Sequence, residues 1–267
     1  MSLSEPARQG LREALRREGL DTVDGAFAFA GGESLAKPGL GSRERIRFEL
    51  AASDGTVHEL YLKRYGPQPL SARVRTLLRH GRFASPASVE WMNVHACLEA
   101  GVATMEPLVW GEEDGGGRSY LVVSAVPGEA LERVGEDYWR RHEGDPHAQA
   151  ELTRKLVELV RRLHAAGYVH RDLYASHVFL AEDAAGVTLH LIDLARMFRL
   201  RGRRFRWRVK DLAQLRYSMP PAWVAEHWSS FLHAYLGSPD ERELARWSRA
   251  IEAKADRIRR HAERKGG

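Results

Sequence analysis

The hydrophobic periodicity of the chain changes at Pro127-Gly128, and that change does most to limit the folds open to it. Before it, apolar and polar residues alternate, as half-buried strands require. RIRFEL (45–50) carries Ile46, Phe48 and Leu50 at every second position. HELYLKRY (58–65) follows after a Ser53-Asp54-Gly55 turn, so the two are predicted to form a hairpin. AFAFA (26–30) alternates in the same way, and two more strands are predicted around MEPLVWGE and SYLVVSAV, with EDGGG (113–117) as the turn between them. A single helix interrupts this run, with Ser85 as N-cap, Pro86 in the first turn and Gly101 at its end. Past the switch the spacing is helical: ELTRKLVELVRRLHAAG places Leu152, Leu156, Leu159, Val160 and Leu163 on one face and stops at Gly167. Strands with one helix, then helices, describe an α+β fold in two lobes. The expected division is a helical extension over 1–24, a β-rich N-lobe over 25–127 and a helical C-lobe over 128–267 ending in a basic helix.

A chain of 267 residues that is 43% hydrophobic and 29% charged can build a proper core, which excludes disordered and fibrous classes. No apolar run approaches the roughly 20 residues that cross a bilayer. The first twenty residues are charged and read as a short helix with Leu11, Ala14 and Leu15 on one side, not as a secretory signal. Cys97 is the one cysteine, so neither an intrachain disulfide nor a cysteine zinc site is available, and a cytoplasmic setting is expected. The net charge of +5 suggests an anionic partner. No nucleic-acid motif accompanies the basic runs, so nucleic acid is not expected.

Several residues invite a chemical reading by their order. Lys63 stands in the strand LYLKRY, Glu90 on the next helix, Asp172 in His170-Arg171-Asp172 after a helix, and Asp193 at the end of the strand VTLHLID. Each alone also has an ordinary reading: an exposed strand lysine, a solvated helix glutamate, an aspartate capping a turn. Their order on these elements is what sets them apart.

That order resembles the protein-kinase-like fold, and the stretches HRDLYASHVFL, LIDLARM and RWRVKDLAQLRYS resemble more narrowly the lipopolysaccharide core kinases that phosphorylate heptose or Kdo. A protein-kinase loop reads H-R-D-x-x-x-x-N, and here His177 occupies the asparagine position, as it does in that family. The resemblance implies an ATP-dependent kinase with a bilobal fold, Asp172 as catalytic base, Lys63 on the nucleotide phosphates, Glu90 orienting Lys63, and Asp193 holding magnesium. His177 is left with three readings: a weak ligand of a second metal ion, a ligand favouring manganese, or merely a hydrogen-bond partner of Asp172; the metal site on Asp193 is expected to be firm and the second one weak. His170 and Arg171 would shape the loop, and Asp211 would cap a helix and accept backbone hydrogens from it. For the phosphate-covering turn the candidates are Gly39 and Gly41, with Gly31-Gly32 as the other choice; neither gives G-x-G-x-x-G. The short distance from Asp193 to Asp211 leaves no room for a regulated activation loop, which disfavours a protein substrate.

RMFRLRGRRFRWRVK (196–210) follows Asp193 directly. Arg199, Arg201, Arg203, Arg204, Arg206 and Arg208 are the expected contacts to an acidic, phosphorylated acceptor, with a solvated basic loop as the plain alternative. Phe198, Phe205 and Trp207 would anchor the segment or lie on a membrane. The C-terminal helix, with Leu244, Trp247, Ile251 and Ile258 on one face, would either pack on the C-lobe or touch the inner membrane surface. The competing functions are a kinase of another small molecule or of a protein, and a kinase-like binding module without activity.

Overall fold

The computed structural model describes residues 4–35, 43–80, 84–202 and 204–266. The chain divides into two units, one of Met1–Ala96 with Thr104–Val126, the other of Cys97–Ala103 with Pro127–Gly267.

The first unit opens with α1 (Glu5–Arg17), capped by the Ser4 side chain, and α2 (Val23–Ala28). There follow β1 (Glu33–Ser34), β2 (Arg43–Ala51), β3 (Val57–Tyr65), α3 (Leu70–His80), α4 (Pro86–Glu99), β4 (Pro107–Glu112) and β5 (Ser119–Ser124). The strands form an antiparallel sheet in the order β1-β2-β3-β5-β4. The predicted hairpin pairs Ile46 with Leu62 and Phe48 with Leu60, so the alternation noted in the sequence becomes one apolar face. Leu11 and Leu15 of α1, with Leu20, join that face to close a core in which Leu11, Leu20, Leu60 and Leu62 are fully buried. Each such leucine contributes about 1.5–3 kcal/mol relative to an exposed one. The odd residues of β3, including Lys63 and Tyr65, take the other face.

Two expectations need correction here. AFAFA is not a strand: residues up to Ala28 belong to α2, which Thr22 caps by accepting from Gly25 N at 3.1 Å. Arg64 supplies what the helix end lacks, donating through Nε to Ala26 O at 2.6 Å and through Nη2 to Phe29 O. A cap and a distant arginine outweigh a five-residue alternation. Helix α3 has no counterpart in the sequence reading, because its apolar residues do not build a core. The helix α4 starts as expected, with Ser85 Oγ accepting from Ser88 N at 3.1 Å.

The second unit contains β6 (Glu129–Ala130), α5 (Leu131–Arg141), α6 (Pro146–Ala165), β7 (Tyr168–Val169), β8 (Val178–Asp183), β9 (Gly186–Leu191), β10 (Phe198–Arg199), α7 (Arg204–Ser218), α8 (Pro221–Leu236) and α9 (Glu241–Gly266). Strands β6, β8 and β9 form one small sheet, and β7 pairs with β10 in another. Asp145 caps α6, accepting from His147 N and Ala148 N, and Leu152, Leu156, Leu159, Val160 and Leu163 are buried as their spacing predicts. The helix α9 packs on the unit: Trp247, Ile251 and Ala255 are buried, and Trp247 lies edge-on to Phe205 at 4.6 Å. Of the two readings for the C-terminal helix, packing is the one observed. Half of the arginine-rich stretch is also not loop, since Arg204 to Lys210 form the first two turns of α7. Among the described residues, no helix is long and apolar enough to cross a membrane.

Candidate active site

In the first unit, β3 and α4 bring Lys63 and Glu90 together. Lys63 Nζ lies 2.5 Å from Glu90 Oε1, and the pair is almost fully withdrawn from solvent. Tyr65, two residues along the same strand face, donates its hydroxyl to Glu90 Oε2 at 2.5 Å. Both oxygens of the carboxylate are therefore engaged, which a buried charge requires. Gly39 and Gly41 lie outside the described residues. Gly32 has φ +92°, and a Cβ there would sit 2.3 Å from Arg47 O, so this glycine serves close approach to β2.

In the second unit, the loop His170–Ala175 is held by one face of α7. Asp211 Oδ2 and Oδ1 accept from His170 N at 2.7 Å and Arg171 N at 2.8 Å. Gln214 accepts from Leu173 N at 3.3 Å, and Ser218 from Ala175 N at 2.7 Å. Positions 211, 214 and 218 share a helix face, so a helix-spaced polar row satisfies four amides of a loop with no regular pairing of its own. Lys210 Nζ donates to Arg171 O from the same helix. Asp211 does accept the loop hydrogens foreseen for it, but it caps no helix: it is buried mid-helix, with His164 Nε2 at 3.3 Å.

The clamp sustains an unusual backbone. Arg171 has φ 74°, a left-handed conformation costly for a residue with a Cβ, and its guanidinium lies over Phe198 and Trp207 at 5.7 and 5.5 Å. Phe198, Phe205 and Trp207 are thus anchors within this unit. Asp193 is also left-handed, at φ 59°.

Asp172 comes next in the loop, with its side chain 17% exposed. Arg196 Nη1 lies 2.8 Å from Asp172 Oδ2, and Lys210 Nζ 3.9 Å from Oδ1. Neither was among the expected site residues, although both stand in the quoted stretches LIDLARM and RWRVKDLAQLRYS. Burial pushes the Lys210 ammonium below the usual lysine range, and Asp172 and Asp211 oppose the shift.

His177 Nδ1 lies 2.7 Å from the backbone oxygen of Asp172. A carbonyl only accepts, so Nδ1 carries a hydrogen, and in the neutral ring Nε2 keeps its lone pair. That Nε2 is 3.6 Å from Asp193 Oδ2. The imidazole therefore buttresses the Asp172 backbone with one nitrogen and faces the Asp193 carboxylate with the other. Among the described residues no cluster of three or more metal-ligating side chains forms. The pair does suit a divalent cation whose remaining ligands are water and phosphate oxygens, since it offers one hard oxygen and one bare nitrogen.

The arginines are spread out. Arg199, Arg201, Arg204 and Arg206 are exposed, and Arg206 lies over Trp207 at 5.7 Å. Arg208 instead donates to His164 O at 2.7 Å, a contact that holds α6 to α7. Arg203 lies outside the described residues.

His170 is fully buried, and its Nε2 lies 2.9 Å from Ile192 O, so Nε2 carries the hydrogen; Nδ1 has no partner among the described residues. Burial holds its pKa below the usual histidine value. The unfolded chain then binds more protons as the pH falls below about 6.5, so the histidine's contribution is present above that pH and lost beneath it. Stability is expected to drop by up to about 1.4 kcal/mol per pH unit there from this group alone. Urea midpoints measured on both sides of that pH check it, and His170→Gln should flatten the slope.

A sheet-bearing unit with a buried lysine–glutamate pair, joined to a helical unit with a clamped His-Arg-Asp loop, is the framework of the protein-kinase-like phosphotransferases. The solved structure of aminoglycoside phosphotransferase APH(3'')-Id from Streptomyces rimosus shares the fold, with TM-score 0.50 over 92% of this chain and 98% of that one, at 18% identity. Within this class the chain belongs to the lipopolysaccharide kinase (Kdo/WaaP) family, which it matches over residues 41–235. It is 31% identical over 195 residues to lipopolysaccharide core heptose(I) kinase WaaP of Pseudomonas aeruginosa, covering 67% of this chain and 71% of the relative. Against WaaP of Escherichia coli K12 it is 28% identical over 241 residues, covering 85% and 88%. A structure of WaaP in complex with acyl carrier protein aligns with TM-score 0.66 and 27% identity over 91% of this chain and 95% of that chain. The chain is accordingly a kinase, which sets aside the reading as an inactive binding module.

Proposed function

We propose that the protein transfers the γ-phosphate of ATP to a heptose hydroxyl of the lipopolysaccharide inner core, with Asp172 as the base. The observation that carries this is the match to heptose(I) kinases over most of the chain, taken with the two cations beside Asp172, Arg196 at 2.8 Å and Lys210 at 3.9 Å. The acceptor hydroxyl gives its proton to the Asp172 carboxylate as its oxygen bonds to the γ-phosphorus, the bond from that phosphorus to the β,γ-bridging oxygen breaks, and ADP leaves. Arg196 and Lys210 hold the Asp172 carboxylate before it takes the proton, and would offer cations to the negative charge of the group in transfer. Lys63, fixed by Glu90, holds the nucleotide phosphates. Asp193 and His177 Nε2 would hold a magnesium or manganese ion, which screens phosphate charge when bound. Asp193 would be the firmer ligand to that ion and the imidazole the weaker one.

Arg199, Arg201, Arg204 and Arg206 are exposed, which suits them to the phosphates and carboxylates that flank a core heptose. Such an acceptor is carried on lipid, so the enzyme would work as a peripheral protein at the cytoplasmic face of the inner membrane.

The test is transfer from γ-labelled ATP to purified core lipopolysaccharide lacking phosphate on its heptose, followed by mapping of the product. One new phosphate on heptose is the expected result. Label on Kdo, or on an aminoglycoside and not on the core, would overturn the assignment of acceptor.

A further inference from the structure

Large hydrophobic side chains that stand exposed are few among the described residues, and three of the four lie on α3: Leu70 is 69%, Val74 42% and Leu78 76% exposed. Their spacing, each four residues from the next, makes one stripe along the helix. Ala72, Thr76 and Leu77 are half-buried, so the helix has a second face turned to the protein and leaves the stripe outward. The sequence of α3 contains Arg73, Arg75 and Arg79 and no acidic residue. Helical spacing puts Ser71, Arg75 and Arg79 in the sector that adjoins the stripe. A leucine stripe bordered by arginine positions is a pattern that water alone does not favour.

We propose that α3 is a membrane-docking helix that lies on a bilayer containing anionic lipid, with Leu70, Val74 and Leu78 inserted among the acyl chains. Two features select this occupant. Charge is complementary, because a helix with arginines and no carboxylates meets lipid phosphates. The apolar area is also small: three side chains on one short helix fall well below the roughly 800 Å² per partner of a stable protein interface, yet shallow insertion of a few side chains suffices at a membrane surface. The biological sense of such docking rests on the lipid-borne acceptor proposed above, but the docking itself is measurable without acceptor.

The experiment is co-sedimentation of the full chain with vesicles of phosphatidylcholine alone and of phosphatidylcholine with phosphatidylglycerol, in the absence of ATP and lipopolysaccharide. The chain is expected to partition onto the anionic vesicles and to be released by salt. Leu70→Gln with Leu78→Gln should lower the partition coefficient by about ten-fold or more, with Tm and transfer to a delipidated core acceptor unchanged. Arg75→Gln with Arg79→Gln should weaken binding and flatten its salt dependence. Equal partition of the leucine variant and the parent would overturn the proposal. So would absence of vesicle binding, or concentration-dependent self-association that the same leucine variant abolishes, which would make a second copy the occupant. Vesicle binding lost while transfer is retained strikes only this proposal; transfer absent while vesicle binding is retained strikes only the assigned acceptor.

Discussion

Asp172→Ala is expected to lower the rate of phosphate transfer by about 10³-fold, within the 10²–10⁴ range typical of a positioned general base. The loss should fall on the chemical step. Lys63 and Glu90, the proposed holders of the nucleotide phosphates, belong to the other unit and pair with each other without Asp172. Removing the carboxylate also releases Arg196 Nη1 from its 2.8 Å ion pair with Asp172. Lys210 keeps a partner in Arg171 O. Single-turnover transfer with the affinity for ATP measured in parallel checks the prediction: a large fall in rate with nearly constant ATP affinity is expected. Activity within ten-fold of the parent would assign the base elsewhere.

Glu90→Ala carries the second large effect. The carboxylate is 1% exposed and pairs with Lys63, which is 8% exposed, and it also accepts from Tyr65. Alanine would strand a buried ammonium and take one acceptor from the Tyr65 hydroxyl, and removing one partner of a buried ion pair costs about 3–5 kcal/mol. The urea midpoint should fall accordingly, and transfer should be lost even where the chain remains folded. The double change Lys63→Met with Glu90→Leu separates the two consequences. Replacing a buried pair by apolar groups of similar size is near neutral for stability, so this variant, which still lacks the Glu90 acceptor of the Tyr65 hydroxyl, should be clearly more stable than Glu90→Ala and transfer nothing. A double variant as unstable as Glu90→Ala would mean that the pair matters chiefly to packing.

Where sequence patterns are long or locally self-sufficient, structure follows them closely. The β2–β3 hairpin and the buried face of α6 come straight from their periods, because period and burial are the same physical fact seen twice. Lys63, Glu90, Asp172 and Asp193 are legible only through their order on elements, since no single one carries a distinguishing pattern. What escaped depends on contacts across long stretches of chain. Arg64 stabilises α2 from 38 residues away and overrides the alternation of AFAFA. Arg196 and Lys210 reach Asp172 from positions 24 and 38 residues further on. Asp211, Gln214 and Ser218 do have a helix-face spacing, which signals a polar row on α7 but not the loop it clamps. The arginine-rich stretch looked uniform in sequence and proved to be three things: an ion-pair partner of Asp172, exposed cations, and in Arg208 a helix-to-helix tie.

The way that stretch is tethered bears on how such enzymes diversify. At its start, β10 pairs with β7, Phe198 opposite Val169 and Arg199 opposite Tyr168, and Leu200 N bonds Gly167 O. At its far end, α7 is fastened to the loop around Asp172 by Asp211, Gln214 and Ser218. The exposed side chains of Arg201, Arg204 and Arg206 between these moorings make none of those bonds, so mutation can recharge this span while the loop around Asp172 keeps its tethers. On the roles proposed for them, acceptor preference and catalytic competence would be inherited on separate pieces of chain. A lineage that acquires a different anionic sugar can rewrite one without relearning the other.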